Sequence, residues 1–294
     1  MRFTRYRYLI FALLGTAYIL VFFHRLAPAV VAVDMMNDLK AGGALMGILA
    51  SAYFYPYALM QIPAGLLSDS WGPRRSIVVF FALAAAGSIV LGFANTVGLA
   101  ITARVAVGLG VAMVFIPTLK ILTHWFEASK FSRMSGLLMS LGGIGAYTAS
   151  APLALLSDAM TWRGSMIVIG VLTLLVSGLI WLLVRDTPEK AGFPPLNDCA
   201  EDNTCDGIKF GILGGIFLVV KNKIFWPIAL CNFFGAFVTL SFNGLWGGPF
   251  LMHTYGLSRT QAGGILSMMA IGLIFGAPFW NWFLTRCSMR ARKF

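Results

Sequence analysis

Long apolar runs alternate with short polar breaks along this chain. That pattern predicts eight helices of membrane-spanning length, at about 8–31, 42–64, 76–94, 97–119, 134–157, 164–184, 224–247 and 261–284. Each approaches the roughly 20 residues that a helix needs to cross the hydrocarbon core. Helix is the predicted form because lipid offers no partner for an open backbone amide or carbonyl. One polar stretch, 185–223, is far longer than the other breaks. It opens with the proline-rich run Arg185-Asp-Thr-Pro-Glu-Lys-Ala-Gly-Phe-Pro-Pro195, which breaks helix. It closes with 207–223, a segment able to lie along a membrane surface. The expected organisation is a six-helix bundle over 1–184, a cytoplasmic linker over 185–223, and two further helices within 224–294.

Composition agrees with lipid as the solvent. Of the 294 residues 59% are hydrophobic and only 11% charged, with mean hydropathy +0.82, too little charge to cover a soluble domain. The net charge of +11 could point to nucleic acid, but the basic residues flank the apolar runs instead of forming one polar face. With the N-terminus inside, 17 of the 22 Lys and Arg fall on the inner side and three outside (Lys40, Arg163, Arg259). This positive-inside bias predicts a multi-pass protein of a cell membrane, of the bacterial inner-membrane kind, with both termini cytoplasmic. The basic start up to Arg7 leads into a run too long for a cleaved leader, so a retained first span is expected. Cys199 and Cys205 have no zinc spacing and no histidine beside them, and Cys231 and Cys287 stand alone, so all four read as ordinary thiols. No metal cluster, phosphate-cradling loop or nucleophile elbow is recognisable. Neither an enzyme nor a cofactor is expected.

The break between spans 2 and 3 reads Gly65-Leu-Leu-Ser-Asp69-Ser-Trp-Gly72-Pro-Arg74-Arg75. Span 4 contains Arg104-Val-Ala-Val-Gly108-Leu-Gly110, and Trp162-Arg163 and Asp186-Thr-Pro-Glu flank span 6. Together these resemble the major facilitator superfamily. The first matches its loop signature at Gly65, Asp69 and Gly72, with Pro73 inserted before the basic pair and Ser70 in place of a basic residue. The second resembles the family's Arg-x-x-x-Gly-x-Gly motif. The resemblance implies an all-α bundle of two six-span halves, with spans 1 and 4 lining a central cavity and the loop around Asp69 latching one state. A faint repeat lays 67–76 on 284–293, with Arg286 where Asp69 stands. On that resemblance the chain stops in the loop after span 8, with spans 9 to 12 absent, and it would act as a monomer.

Charges inside a span are costly and usually face a cavity or a partner. Three ionisable side chains qualify: His24, Arg25 and Arg104. By helical rise both arginines lie roughly 6–8 Å to the outer side of their span centres. Two guanidinium groups at one depth would suit a carboxylate or phosphate. For Arg25 the alternative is snorkelling to the interface, and for Arg104 a role in setting span 4. Tyr18 lies on the Arg25 face of span 1, as a cavity or packing residue, and His24 could carry a coupling proton or bond a neighbouring helix. Asn243 and Trp246 end span 7 at a Gly- and Pro-broken stretch that could line a cavity. No Asp or Glu lies deep in a span, which argues against a carrier of organic cations. The expected function is secondary transport of a small organic anion by alternating access, with a coupling proton or a counter-anion. The alternatives are a truncated or receptor-like protein without transport, or a carrier of sugars, amino acids or short peptides.

Overall fold

In the computed structural model of the chain, residues 3–194, 220–242 and 247–257 are described, with scattered residues between 261 and 279. Every regular element among them is helical. The chain divides into two compact units, 1–196 with 267–294, and 197–266.

The first unit holds α1 (Phe3–Val30), α2 (Ala32–Leu39), α3 (Gly43–Ser70), α4 (Pro73–Gly92), α5 (Val97–Trp125), α6 (Ala128–Thr148) and α7 (Ala151–Leu183). The second holds α8 (Phe225–Ser241) and α9 (Gly247–Tyr255). Among the described residues, five helices are long and apolar enough to cross a membrane: Phe3–Pro28, Gly43–Ser70, Pro73–Gly92, Val97–Trp125 and Leu155–Leu183. Their outward faces are apolar, with Leu59 76%, Leu155 71% and Leu182 65% exposed. Side chains of this kind belong against hydrocarbon or another helix.

The helices outrun the apolar runs that announced them. α6 begins at Ala128, well before 134, because Lys130 and Arg133 are good helix formers even though they are not apolar. The segment expected at 134–157 is divided. Pro152 has no N–H to give the Thr148 carbonyl, so α6 ends at Thr148 and α7 starts afresh at Ala151. α7 is kinked at Met160–Thr161, where Thr161 takes a φ of 66°.

α5 is the hub, lying against α3 on one side and α4 on another, while α4 also meets α7 and α1 rests on α6 and α7. Glycines permit the closest approaches. A Cβ at Gly108 would strike the Tyr53 backbone of α3, and one at Gly110 the Phe80–Ala84 backbone of α4. Gly142 and Gly145 do the same for α6 against α1, facing Phe22 and the Ile19 backbone. Gly108 and Gly110 of the span 4 motif, with Gly142 and Gly145, are thus seats for neighbouring helices.

The start of the linker is folded onto the end of the bundle that carries the N-terminus. Phe193 sits among Phe3, Tyr6 and Trp125, with ring centroids 5.3, 5.7 and 6.4 Å away. The Tyr6 hydroxyl donates to the Leu183 carbonyl at 2.6 Å and the Trp125 indole N–H to the Arg185 carbonyl at 2.9 Å. Phe193→Ala removes the central ring and is expected to speed tryptic cleavage at Arg185 and Lys190 several-fold while leaving the thermal midpoint of the bundle nearly unchanged. Equal cleavage rates would show that the rings do not hold this segment.

Candidate functional site

The buried polar centre of the first unit lies where α1, α3, α5 and α7 meet. Its origin is Pro28. Inside a helix, proline cannot donate to the carbonyl four residues earlier, here that of His24. Arg104 of α5 supplies the missing donor, its Nη1 giving a 3.0 Å bond to the His24 carbonyl. Arg104 is 2% exposed and its guanidinium lies 4.7 Å over the Tyr53 ring of α3.

The His24 ring is fixed from the other side. Its Nε2 lies 2.9 Å from the Thr173 hydroxyl of α7, and that hydroxyl gives its own proton to the Ile169 carbonyl at 2.7 Å. The hydroxyl therefore accepts here, and the network assigns the imidazole proton to Nε2. Position 24 is thus held by backbone and by side chain.

Arg25, the next residue, is held differently, by aromatic side chains. Its guanidinium rests between the Phe22 ring at 5.0 Å and the Tyr57 ring at 4.8 Å. Tyr57 stacks in parallel on Tyr53, 5.8 Å apart. The Tyr53 hydroxyl, fully buried, faces Arg25 without a hydrogen bond of regular geometry. Among the described residues no carboxylate pairs with Arg25; the ion pairs join Lys120 to Asp69, Lys130 to Glu127, Arg163 to Asp38 and Lys190 to Asp186. Tyr18 is packed, stacked on Phe115 and edge-on to Phe22, with its hydroxyl 3.6 Å from the Met139 sulfur. Asn243 and Trp246 lie outside the described residues.

The structure therefore brings His24, Arg25, Arg104 and Tyr18 into one neighbourhood. It adds Phe22, Tyr53 and Tyr57, which the sequence reading did not single out. Their signal was the i, i+4 pair Tyr53 and Tyr57 on the α3 face toward α5, but aromatic residues in a span ordinarily read as packing.

The loop motif is a second constellation, at the bundle end that carries the N-terminus. Gly72 has φ 90°, open to glycine, and turns the chain into α4. Pro73 follows as the first helical residue, where its missing N–H costs nothing. Asp186 of the Asp-Thr-Pro-Glu run accepts the Arg74 backbone N–H at 2.8 Å, capping α4. The Arg74 side chain lies 4.4 Å over Trp181 and donates to the Trp181 carbonyl, while Arg75 is exposed. Gly65 has open space where a Cβ would stand. Asp69 pairs with Lys120, which also donates to the Ser68 carbonyl at 3.2 Å in the last turn of α3. Lys120 is thus a tie between α5 and the motif loop.

The sequence profile of the Major Facilitator Superfamily matches residues 9–294. The chain belongs to that superfamily. This assignment is to a family of multi-pass membrane transporters, not enzymes, and the helical architecture agrees with it. A probable hexose phosphate transport protein of Chlamydia trachomatis is 23% identical over 292 residues, covering 94% of this chain and 64% of its own length. A probable sulfoacetate transporter of Cupriavidus necator is 24% identical over 184 residues, covering 63% of this chain and 43% of its own length. This superfamily member thus spans less than two thirds of either relative. Among solved structures, an inward-facing, unoccupied bacterial homolog of the human lysosomal transporter Spinster superposes with a TM-score of 0.65 at 22% identity, covering 93% of this chain and 59% of that one. At this identity the likeness concerns the fold.

Proposed function

We propose that this chain carries the anion-binding half of a secondary transporter for small organic anions, with Arg25 as the anchor for a carboxylate or phosphate. The observation behind this is the state of Arg25. It is a guanidinium in a membrane-spanning helix, flanked by the faces of Phe22 and Tyr57, with no acidic partner among the described residues. A charge in that setting calls for a counter-charge, and a solute anion supplies it. The names of the two relatives point the same way, since a hexose phosphate and sulfoacetate are both anions. Alternating access, a coupling proton or counter-anion, and a monomer in a cell membrane with both termini inside complete the reading. The distribution of basic residues supports the orientation.

Ligand-induced stabilisation tests it directly. A solute that binds the folded chain raises its thermal midpoint in detergent by mass action, by about 2.7 kcal/mol at a hundred times its dissociation constant. Inorganic phosphate, glycerol 3-phosphate and sulfoacetate are expected to raise the midpoint in a saturable way, and glucose is not. Vesicle uptake of the protective anion then separates carriage from binding alone. Protection by glucose and not by the anions would favour a neutral-solute carrier.

A further inference from the structure

The motif Arg104-x-x-x-Gly108 of α5 contains more than a charge. Four facts join it to the break in α1. Pro28 leaves the His24 carbonyl without its helical donor. Arg104 Nη1 fills that vacancy at 3.0 Å, in a fully buried setting. The guanidinium is supported from behind by the Tyr53 ring at 4.7 Å. Tyr53 is in turn seated on α5 by Gly108, whose missing Cβ makes room for the Tyr53 backbone. The elements form a loop of dependence: Gly108 admits Tyr53, Tyr53 backs Arg104, and Arg104 closes the break in α1.

We propose that Arg104 is a positioning residue that pins the proline break of α1, and through the fixed position 24 sets where the Arg25 guanidinium stands. The requirement at 104 is then a hydrogen-bond donor to a backbone carbonyl, and the charge is secondary. In lipid-facing proteins a proline inside a span is tolerated where a neighbouring helix satisfies the freed carbonyl, and here that neighbour is identified. The pin also links α1 and α5 rigidly at the level of Arg25, so that the two helices move together.

The decisive experiment is a double-mutant cycle on the full chain. Pro28→Ala restores an N–H at position 28, which returns the His24 carbonyl to the helix and makes Arg104 dispensable. Arg104→Met in the native background leaves a buried carbonyl orphaned and is expected to lower the thermal midpoint by about 4–8 °C. In the Pro28→Ala background the same change is expected to lower it by less than about 2 °C. Arg104→Gln, a neutral donor, is expected to keep most of the native midpoint. An equal loss in both backgrounds overturns the pin. If Arg104→Met yields no folded protein, recovery of folded Pro28→Ala/Arg104→Met supports it, and failure to recover overturns it. A second arm rests on the anion reading: phosphate protection is expected to survive in the double variant, because Arg25 is intact. Its loss there, with the wild type protected, makes Arg104 a direct anion contact and overturns the positioning role. If phosphate fails to protect even the wild type, the anion reading falls while the cycle on the midpoint still decides the pin.

Discussion

Arg25→Ala is expected to remove anion protection altogether while leaving the chain folded. The two halves of that expectation rest on different numbers. The contacts that hold Arg25 are ring faces at 5.0 and 4.8 Å and the Tyr53 hydroxyl that faces it. Cation–π contacts of this kind contribute about 0.5–2 kcal/mol, a tolerable loss for a bundle closed by glycine-seated helices. Binding is a different matter. A hydrogen bond to a charged partner contributes about 1.5–3 kcal/mol, and a guanidinium can offer two in parallel to one carboxylate or phosphate. At 1.4 kcal/mol per tenfold, the loss of one such bond weakens an anion about 10- to 100-fold, and the loss of a bidentate pair weakens it further. Arg25→Lys keeps the charge and loses the fork, so it is expected to fall between wild type and Arg25→Ala. The measurement is the midpoint as a function of phosphate, glycerol 3-phosphate and sulfoacetate concentration. A protein with Arg25→Ala that is still protected at wild-type concentrations removes Arg25 from the site. A variant that takes up a neutral sugar unchanged places the chain among carriers of uncharged solutes.

Much of this architecture is written in the hydropathy of the chain, because lipid leaves helix as nearly the sole solution for an apolar run. The ends are less legible. Apolarity marks the part of a helix that meets hydrocarbon, whereas α1 continues back to Phe3 through Arg5 and Arg7, and α6 reaches Ala128 through Arg133 and Lys130. The break before α7 had a plain signal in Pro152 that the apolarity of 134–157 masked. At the site, His24, Arg25 and Arg104 stood out because each interrupts an apolar run. Their partners did not. Arg104 bonds a backbone carbonyl, and backbone leaves no mark on composition. Pro28 was the legible half of that contact, since a proline inside a span announces an unpaired carbonyl four residues earlier. Tyr53 and Tyr57 were hidden by the ordinary frequency of aromatic packing. The Lys120–Asp69 pair joins residues far apart in sequence that only the packing of α5 on α3 brings together.

Leucine at Gly110 or Gly145 is expected to prevent folding, and leucine at Gly178 to do nothing. The contrast isolates helix approach from helix propensity, for which leucine improves on glycine at every one of these positions. At Gly178 on the outer face of α7 a Cβ meets nothing within 4 Å. At Gly110 it would stand 2.6 Å from the Ala84 Cβ and against the Phe80 carbonyl, and at Gly145 3.0 Å from the Ile19 Cα. These neighbours are mostly backbone, which cannot swing aside as a side-chain tip can, so whole helices must separate: α5 from α4 in one case, α6 from α1 in the other. Overpacking of a close-packed interior costs about 1–3 kcal/mol for a few extra methylenes where side chains can adjust, and more where backbone is struck. Between helices already in lipid there is no hydrophobic gain to offset the lost contact, because hydrocarbon covers the parted faces as readily as the helices did. The readout is the yield of monodisperse protein in detergent, followed by the midpoint of whatever folds. Gly108→Ala is the graded member of the series. It adds a single methyl, pressed on the Tyr53 carbonyl and the Pro56 ring, so it is expected to fold, to lose several degrees, and to bind phosphate more weakly, because the ring that backs Arg104 and the ring stacked on it that flanks Arg25 are displaced together. A Gly108→Ala protein with lowered stability and unchanged phosphate affinity would separate helix packing from the geometry of the anion site.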